Sequence, residues 1–243
     1  MTDDHTDRST SETLDPDLEE YREGEQVWHP ILYASICGHN GVASCNHLYR
    51  AKQLAVDKAF KGGDWIKYIF LHERPYRLDA FEFIEDGLGD AEYWKLLARI
   101  WRDSESIFAN CEIWERLWNS DRTEKQEAMN NCDQDVFARL PAELTIYRGI
   151  SGCQGAIGGL SWTLSREKAL WFAMRRDREA HLITATAAKE SVHAYLNTRN
   201  EQEVVTQNPT IVKVEDVTAR TDINLENEQV DITEVTVPRL PSP

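Results

Sequence analysis

The sequence predicts an α+β protein, in which a helical region precedes a smaller part built from short strands. From residue 27 to residue 140, apolar residues recur at the three- and four-residue spacing of amphipathic helices. After residue 140, short runs rich in β-branched and aromatic residues alternate with polar turns. At 243 residues, the chain is long enough for one large domain or two small ones.

The negative charge of the chain is concentrated at its two ends. The formal net charge is −15, and residues 1–26 contribute −8 of it, residues 214–243 contribute −5, and the body contributes −2. We therefore predict acidic, disordered tails at residues 1–26 and 220–243, the second with room for one added strand. A docking tail or a nucleic-acid mimic is the alternative. No basic tract indicates tight, sequence-independent binding to nucleic acid.

The N-terminus predicts a cytoplasmic protein. It begins MTDDHTDRSTSETLDPDLEE, which lacks the apolar core of a signal peptide. No run approaches the roughly 18 apolar residues of a membrane span, so no membrane partner is expected. The five cysteines are odd in number and form no paired framework, which predicts reduced thiols.

One segment, CGHNGVASCNH, raises the question of a metal site. It contains Cys37, His39, Cys45 and His47, whose side chains could in principle surround zinc. The spacing within each pair is shorter than in zinc fingers, and the segment runs directly into a predicted helix. We therefore predict no metal site and favour buried thiols and helix-surface histidines.

Three helices are predicted within residues 27–140. The first, NHLYRAKQLAVDKAFKGG, ends at the Gly62–Gly63 pair. The second, DAEYWKLLARIWRDSESIF, has Asp90 as its predicted N-cap and one apolar stripe of Tyr93, Leu96, Leu97, Ile100 and Trp101. The third, CEIWERLWNSD, adds Trp114 and Trp118. Core packing is the predicted role of these aromatic residues, and a stacking surface for bases is the alternative.

The remaining elements are six strands and one helix. The strands read LTIYRGI, GGLSWTLS, HLITATA, SVHAYL, EQEVVT and TIVKV. The helix, SREKALWFAMRRDREA, has Ser165 as its predicted N-cap and turns Ala169, Phe172 and Ala173 toward the sheet. We predict that this α+β part spans residues 141–219.

Polar residues at two of these strands could bind a ligand. Arg148 precedes Gly149 where the first strand is expected to end, and its planar guanidinium suits a phosphate group. Ser161 and Thr163 share one face of the next strand, where two hydroxyls could orient a carboxylate or a sugar. Each residue also has an ordinary interpretation, a surface ion pair for the arginine and strand hydroxyls for the other two.

Two carboxylates stand one residue apart at the start of EQEVVT. In a strand, Glu201 and Glu203 would point to the same side. Close carboxylates repel, which raises the pKa of one of them, and such a pair suits the breaking of a glycosidic bond through an oxocarbenium-like state. The alternative is a solvated strand face.

Taken in order, these motifs resemble a known family. Aromatic-Arg-Gly, Ser-x-Thr followed by a helix carrying WFA, and Glu-x-Glu at a strand start resemble the arginine–serine–glutamate class of ADP-ribosyltransferases. This class includes the cholera-toxin-like and the arginine-specific mono-ADP-ribosyltransferases. The resemblance covers residues 143–206 and leaves residues 1–140 unexplained. It implies the split β-sheet fold of that family, with NAD as substrate.

The resemblance also implies roles for individual residues. Arg148, followed by Gly149, would hold the phosphates and ribose of NAD. Ser161, supported by Thr163, would orient the catalytic glutamate and contact the nicotinamide ribose. Glu203 would be that glutamate, stabilising the cationic sugar. The position of Glu201 would engage the acceptor.

Two parts of the family pattern are less clearly matched. The stacking aromatic has two candidates, Phe172 and Trp162, of which Trp162 replaces the usual small residue of the serine motif. The segment LNTRN, at 196–200, would be the loop that meets the target.

The resemblance implies a mono-ADP-ribosyltransferase whose acceptor is a macromolecule. Protein arginine is favoured, a nucleic-acid base is the alternative, and self-modification or NAD hydrolysis stays open. An intracellular toxin or a phage-encoded modifier of host machinery, restrained by a cognate inhibitor protein, would fit. Two rivals are a catalytically inactive interaction module and a glycoside hydrolase. The second ranks last, because same-face strand neighbours do not flank a bond from opposite sides.

Overall fold

The protein is described from a computed structural model covering residues 12–105, 107–152, 158–175 and 179–218. It combines a helical region with antiparallel sheets, as predicted for an α+β protein. Helices α1–α8 span Pro16–Glu19, Gly41–Lys61, Trp65–Leu71, Arg77–Ile84, Asp90–Asp103, Cys111–Trp118, Asn131–Arg139 and Arg166–Met174. Strands β1–β9 span Arg22–Glu23, Gln26–His29, Leu32–Ser35, Glu143–Ser151, Ser161–Thr163, Ala180–Ala188, Val192–Leu196, Glu203–Thr206 and Thr210–Asp216.

The predicted N-terminal tail is wrong from residue 12 onward. Helix α1 and the antiparallel strands β1–β3 occupy this part, so the region predicted as helical from residue 27 begins with strands. Leu14 and Leu18 are buried against Val27 in a small core. Composition alone suggested a solvated tail, but a few apolar side chains suffice once α2 provides a surface to pack on. The predictions for residues 1–11 and 220–243, including the added strand, lie outside the described residues.

The helix predictions are largely confirmed. Helix α2 ends at Lys61 with Gly62 as its C-cap, and the predicted stripe of α5 is buried from Tyr93 to Trp101. The N-cap prediction for Asp90 is wrong, because Gly89 is the N-cap and Asp90 is the first helical residue. The Asp90 carboxylate instead accepts hydrogen bonds from the backbone N–H and the hydroxyl of Thr123, at 3.0 and 2.6 Å.

The large sheet consists of two three-stranded halves. Its strand order is β7-β8-β5-β4-β6-β9, and every neighbouring pair is antiparallel. Among the described residues, β4 and β5 pair only at Tyr147 and Thr163, whereas β4 and β6 pair along nine positions. Within the described residues, the two halves are therefore joined through this one paired position.

Strand β4 does not end at Gly149, as the sequence had suggested, but continues to Ser151. Gly149 is required for a different reason, because helix α8 crosses the strand there. A Cβ at Gly149 would overlap the carbonyl oxygen of Ala169. Helix α8 begins as predicted, with the Ser165 hydroxyl accepting a hydrogen bond from the Lys168 N–H at 3.2 Å.

The helical region and the large sheet share one hydrophobic core. Trp94, Trp101, Trp114 and Trp118 are fully buried in it, together with sheet residues such as Val204. The predicted core role of the tryptophans is therefore confirmed, and they offer no surface for stacking bases. This shared core fixes α5 and α6 against the sheet.

Several predictions concerned thiols, metals and membranes. Cys37, Cys45, Cys111 and Cys132 are free thiols, and Cys153 lies outside the described residues. Within the described ranges, no three or more His, Cys, Asp or Glu side chains are grouped so that they could hold a metal ion. None of the helices in the described ranges combines the length and apolar character needed to span a membrane.

Candidate active site

A cavity of about 900 Å³ opens where the two halves of the large sheet meet. Its walls come from β4, β5, the start of β8, helix α8 and the 3₁₀ segment Ile107–Asn110. All seven residues that the sequence placed in the site line this cavity: Arg148, Gly149, Ser161, Thr163, Phe172, Glu201 and Glu203. The fold thus brings together three motifs spread over more than fifty residues of the chain.

Glu203 is the most buried acidic group of the site. It is the first residue of β8, pairs with Thr163 across the sheet and is only 4% exposed. Its Oε1 accepts hydrogen bonds from the Ser161 hydroxyl at 2.6 Å and from Trp101 Nε1 at 3.0 Å. Burial raises the pKa of Glu203, although these two donors and the nearby Arg199 work in the opposite direction. The carboxylate is therefore held in one orientation and is not the solvated strand-face group of the alternative interpretation.

Trp101 is a site residue that sequence reasoning missed. It lies in α5, 102 positions before Glu203, in the helical region that no motif explained. Its place in an apolar stripe indicates only core packing, and its ring is indeed fully buried. The one general signal is that a buried indole N–H needs an acceptor. Which acceptor it finds is decided by the packing of α5 on the sheet.

Arg148 reaches from β4 toward β5 along the cavity wall. Its Nη1 donates a hydrogen bond to the Ser161 carbonyl oxygen at 2.8 Å. The guanidinium passes directly over Gly159, where a Cβ would overlap it, so this glycine makes room for the side chain. Burial lowers the pKa of Arg148, and the Glu203 carboxylate opposes this effect. A partly buried cation at a cavity wall suits an anionic ligand group.

Thr163 positions the backbone of the acidic loop. Its hydroxyl donates to the Glu201 carbonyl oxygen at 2.6 Å and accepts from the Ser165 N–H at 3.0 Å. These bonds connect β5 both to the segment before β8 and to the N-terminus of α8. Ser161 and Thr163 therefore have different roles. Ser161 binds the Glu203 carboxylate, and Thr163 binds the main chain at Glu201.

The strand geometry predicted for the two glutamates is wrong. Strand β8 begins only at Glu203, and Gln202 has a left-handed backbone with φ of 49°, so Glu201 lies in the loop before the strand. The two carboxylates nevertheless share a partner. Arg199 Nη2 lies 2.9 Å from Glu201 Oε2 and 3.9 Å from Glu203 Oε2. The loop before β8, and not strand alternation, brings the pair to one cavity.

The two candidate stacking aromatics have different environments. Phe172 is partly exposed on α8, and the Arg175 guanidinium lies 5.0 Å from its ring centre. Trp162 is 2% exposed and its Nε1 donates to the Gly159 carbonyl oxygen at 2.6 Å. Both rings line the cavity, but Phe172 is the more exposed of the two, whereas Trp162 is almost fully buried.

Together these groups can perform a specific kind of chemistry. The oriented Glu203 carboxylate can stabilise a developing cation, and Arg148 can bind phosphate. Glu201 lies at the more exposed side of the cavity, where it can meet a second reactant. Such a set suits the transfer of a sugar that carries phosphates.

No protein-family model, curated protein or solved structure matches the chain. A functional assignment therefore depends on the residues of the site and on their geometry.

Proposed function

We propose that this protein is an NAD-dependent mono-ADP-ribosyltransferase that modifies a macromolecule, with the ADP-ribosyltransferase fold in residues 141–219. The observation that carries the proposal is the buried Glu203 carboxylate, which accepts the Ser161 hydroxyl at 2.6 Å in a cavity also lined by Arg148. The division of the sheet into two halves, with the site at their junction, supports the same assignment. The volume of the cavity, about 900 Å³, is large enough for a dinucleotide.

The residues of the cavity fit the parts of NAD. Arg148 binds the pyrophosphate, whose negative charge matches the guanidinium. Phe172 packs against the planar nicotinamide ring. Ser161 and Glu203 hold the nicotinamide ribose through its hydroxyls. When bound, NAD supplies an ADP-ribosyl group whose bond to nicotinamide breaks through a cationic sugar.

Glu203 attracts the sugar more strongly when the sugar carries the positive charge of the transition state than when NAD is intact. In the free protein, burial raises the pKa of Glu203. A positive charge developing beside the carboxylate favours its ionised form, so their attraction is greatest in the transition state. The Ser161 and Trp101 donors keep the carboxylate oriented, so little reorganisation is needed. The bonding electrons of the glycosidic bond leave with nicotinamide.

Glu201 engages the acceptor at the anomeric carbon. Its side chain lines the cavity, is 24% exposed, and can take the proton that the incoming nucleophile loses. A protein arginine is the favoured acceptor, since a guanidinium forms paired hydrogen bonds with carboxylates. The cytoplasm is the proposed place of action.

Labelled NAD tests the proposal in a cell extract. The wild type is compared with Glu203→Gln and with the control Glu143→Gln, which changes an exposed glutamate that also begins a strand. We expect label on a macromolecule with the wild type and the control, and a loss of at least about 100-fold with Glu203→Gln, as for other groups that stabilise transition-state charge. Protease and nuclease treatments identify the acceptor class. No label and no nicotinamide release from the wild type would contradict the proposal and favour an interaction module.

A further inference from the structure

Arg199 lies where an incoming acceptor would be expected. Its Nη2 is 2.9 Å from Glu201 Oε2 and 3.9 Å from Glu203 Oε2. One guanidinium nitrogen thus contacts the carboxylate assigned to the acceptor and lies near the carboxylate assigned to the sugar cation. Arg199 also lines the cavity itself.

The loop around Arg199 is fixed on both sides. Arg199 Nη1 donates to the Arg102 carbonyl oxygen at 2.8 Å, at the C-terminal end of α5. The Gln202 N–H donates to Asn197 Oδ1 at 2.9 Å and closes the loop. Asn200 and Gln202 both have positive φ, 56° and 49°, which is an uncommon backbone for residues other than glycine. Tertiary contacts therefore hold the arginine over the two glutamates, although its side chain is 46% exposed.

We propose that Arg199 is a site of self-modification, at which the protein transfers ADP-ribose from NAD to its own guanidinium. This inference rests on the proposed transferase function and adds the identity of one acceptor. A surface ion pair alone would need only one of the two carboxylates. Here one guanidinium nitrogen lies within 4 Å of both carboxylates, and such proximity to the reacting groups favours transfer.

The proposed step is balanced. The bond between the ribose C1′ and the nicotinamide nitrogen breaks, and its electron pair leaves with neutral nicotinamide. A bond forms between C1′ and the terminal nitrogen Nη2 of Arg199. The guanidinium loses one proton to Glu201, which passes it to water, so the step needs no oxidant or reductant.

Modification would also change the site. The ADP-ribosyl group attached to Arg199 would occupy the cavity rim and hinder a second acceptor. Transfer to other molecules would then slow as the modified fraction rises. Arg199→Lys, which keeps the positive charge but lacks the guanidinium, would show no such slowing.

The test uses the purified full chain with NAD and no other acceptor. Arg22→Lys is the matched control, because Arg22 is 44% exposed and also pairs with a glutamate, at 3.7 Å. Mass spectrometry of the intact chain and of its peptides measures the modified residue, while nicotinamide release measures cleavage of NAD separately. We expect one ADP-ribose per chain at Arg199 in the wild type and in Arg22→Lys, and at least a tenfold lower amount at position 199 in Arg199→Lys. A rate that does not depend on protein concentration is expected for modification within one molecule.

Any of three results would overturn the inference. Nicotinamide release with no modification at Arg199 would refute self-modification and leave the transferase proposal intact. Absence of nicotinamide release would refute both. Modification spread over other arginines, or unchanged by Arg199→Lys, would show that Arg199 is not the acceptor.

Discussion

At the residue scale, Glu203 combines a proposed catalytic role with a cost in stability. The group is 4% exposed, and its pKa is raised by burial. Since burial disfavours the ionised form, the folded protein holds the Glu203 proton more tightly than the unfolded chain does. The contribution of Glu203 to the free energy of unfolding is therefore present at acid pH. It is lost as the pH rises from the ordinary glutamate pKa of 4.5 through the raised pKa of the folded protein.

This linkage gives the first prediction. Glu203→Gln should raise the melting temperature near pH 7 by a few degrees, because about 1 kcal/mol shifts the Tm of a chain of this size by about 2–4 °C. The amide can still accept from Ser161 and Trp101, whose bonds to Oε1 orient the carboxylate. The gain should vanish below about pH 4, where the wild-type glutamate is protonated. Thermal unfolding of both proteins across this pH range measures it, and an equal gain at all pH values would contradict the role of the charge.

The second prediction concerns Trp101. Trp101→Phe keeps an aromatic ring in the core but removes the N–H that donates to Glu203 at 3.0 Å. A hydrogen bond to a charged group contributes about 1.5–3 kcal/mol, so kcat for nicotinamide release should fall roughly 10- to 100-fold. The KM for NAD should change little, because Trp101 acts through Glu203.

Trp114→Phe provides the control for Trp101→Phe. Its ring packs edge-on against Trp101, with centroids 5.0 Å apart, and it is equally buried. The control variant should lose a similar amount of stability and keep most of its kcat. Equal losses of kcat in the two variants would assign the effect to core packing and not to the hydrogen bond.

At the element scale, the contact between α8 and β4 depends on small residues. Ala169 and Ala173 are fully buried on the helix, and Gly149 faces them on the strand. The close contact places Phe172 of the same helix at the cavity. The resemblance noted in the sequence implied a role for Gly149 in NAD binding, and the structure gives this residue a packing role as the strand position that admits the helix.

The third prediction tests this packing. Gly149→Ala should destabilise the protein by about 1–3 kcal/mol or more, because the added Cβ overlaps the Ala169 carbonyl oxygen. Gly87→Ala is the matched control, since a Cβ at Gly87 meets no atom within 4 Å. Denaturant unfolding of the two variants measures the difference. Equal free energies of unfolding for Gly149→Ala and Gly87→Ala would contradict the prediction, because α8 would then have moved away from the added Cβ without destabilising the protein.

At the scale of the whole molecule, the helical region and the sheet are joined around His193. This β7 residue stacks near Trp118, with ring centroids 6.1 Å apart, and its Nδ1 lies 3.4 Å from Lys125 Nζ. Its Nε2 is buried and has no hydrogen-bond partner among the described residues. Burial, together with the Lys125 ammonium, lowers the pKa of His193 to about 4.

The fourth prediction follows from this lowered pKa. The unfolded chain binds the His193 proton more tightly than the folded protein, so the stability from this residue is complete above pH 6.5 and is lost as the pH falls toward 4. His193→Gln should therefore show a smaller fall in the free energy of unfolding over this range. Denaturant unfolding at several pH values measures it, with His39→Gln, at an exposed histidine, as the control. Parallel pH profiles for His193→Gln and the wild type would contradict the prediction.

The sequence by itself determined helices α2, α5, α6 and α8, the strands after residue 140 and most of the chemistry-bearing residues. Periodicity placed the buried stripe of α5, the Gly62–Gly63 pair placed the end of α2, and local hydrogen bonding placed the Ser165 cap. These features depend on neighbours within about one turn of the chain. The order of Arg148, Ser161 and Glu203 also singled out three residues that line one cavity.

Only the tertiary structure decided how these residues meet. Trp101 donates to Glu203 because the shared core packs α5 on the sheet, and the left-handed backbone at Gln202 turns Glu201 out of the strand toward Arg199. The folding of residues 12–36 likewise depends on the surface that α2 offers, and not on their acidic composition. Contacts between positions far apart in the chain leave no periodic signal, because each partner is already explained by its own local pattern. The sequence therefore predicted the polar groups of the two strands and the acidic segment, whereas packing added Trp101 and decided the orientation, burial and pKa values of the site.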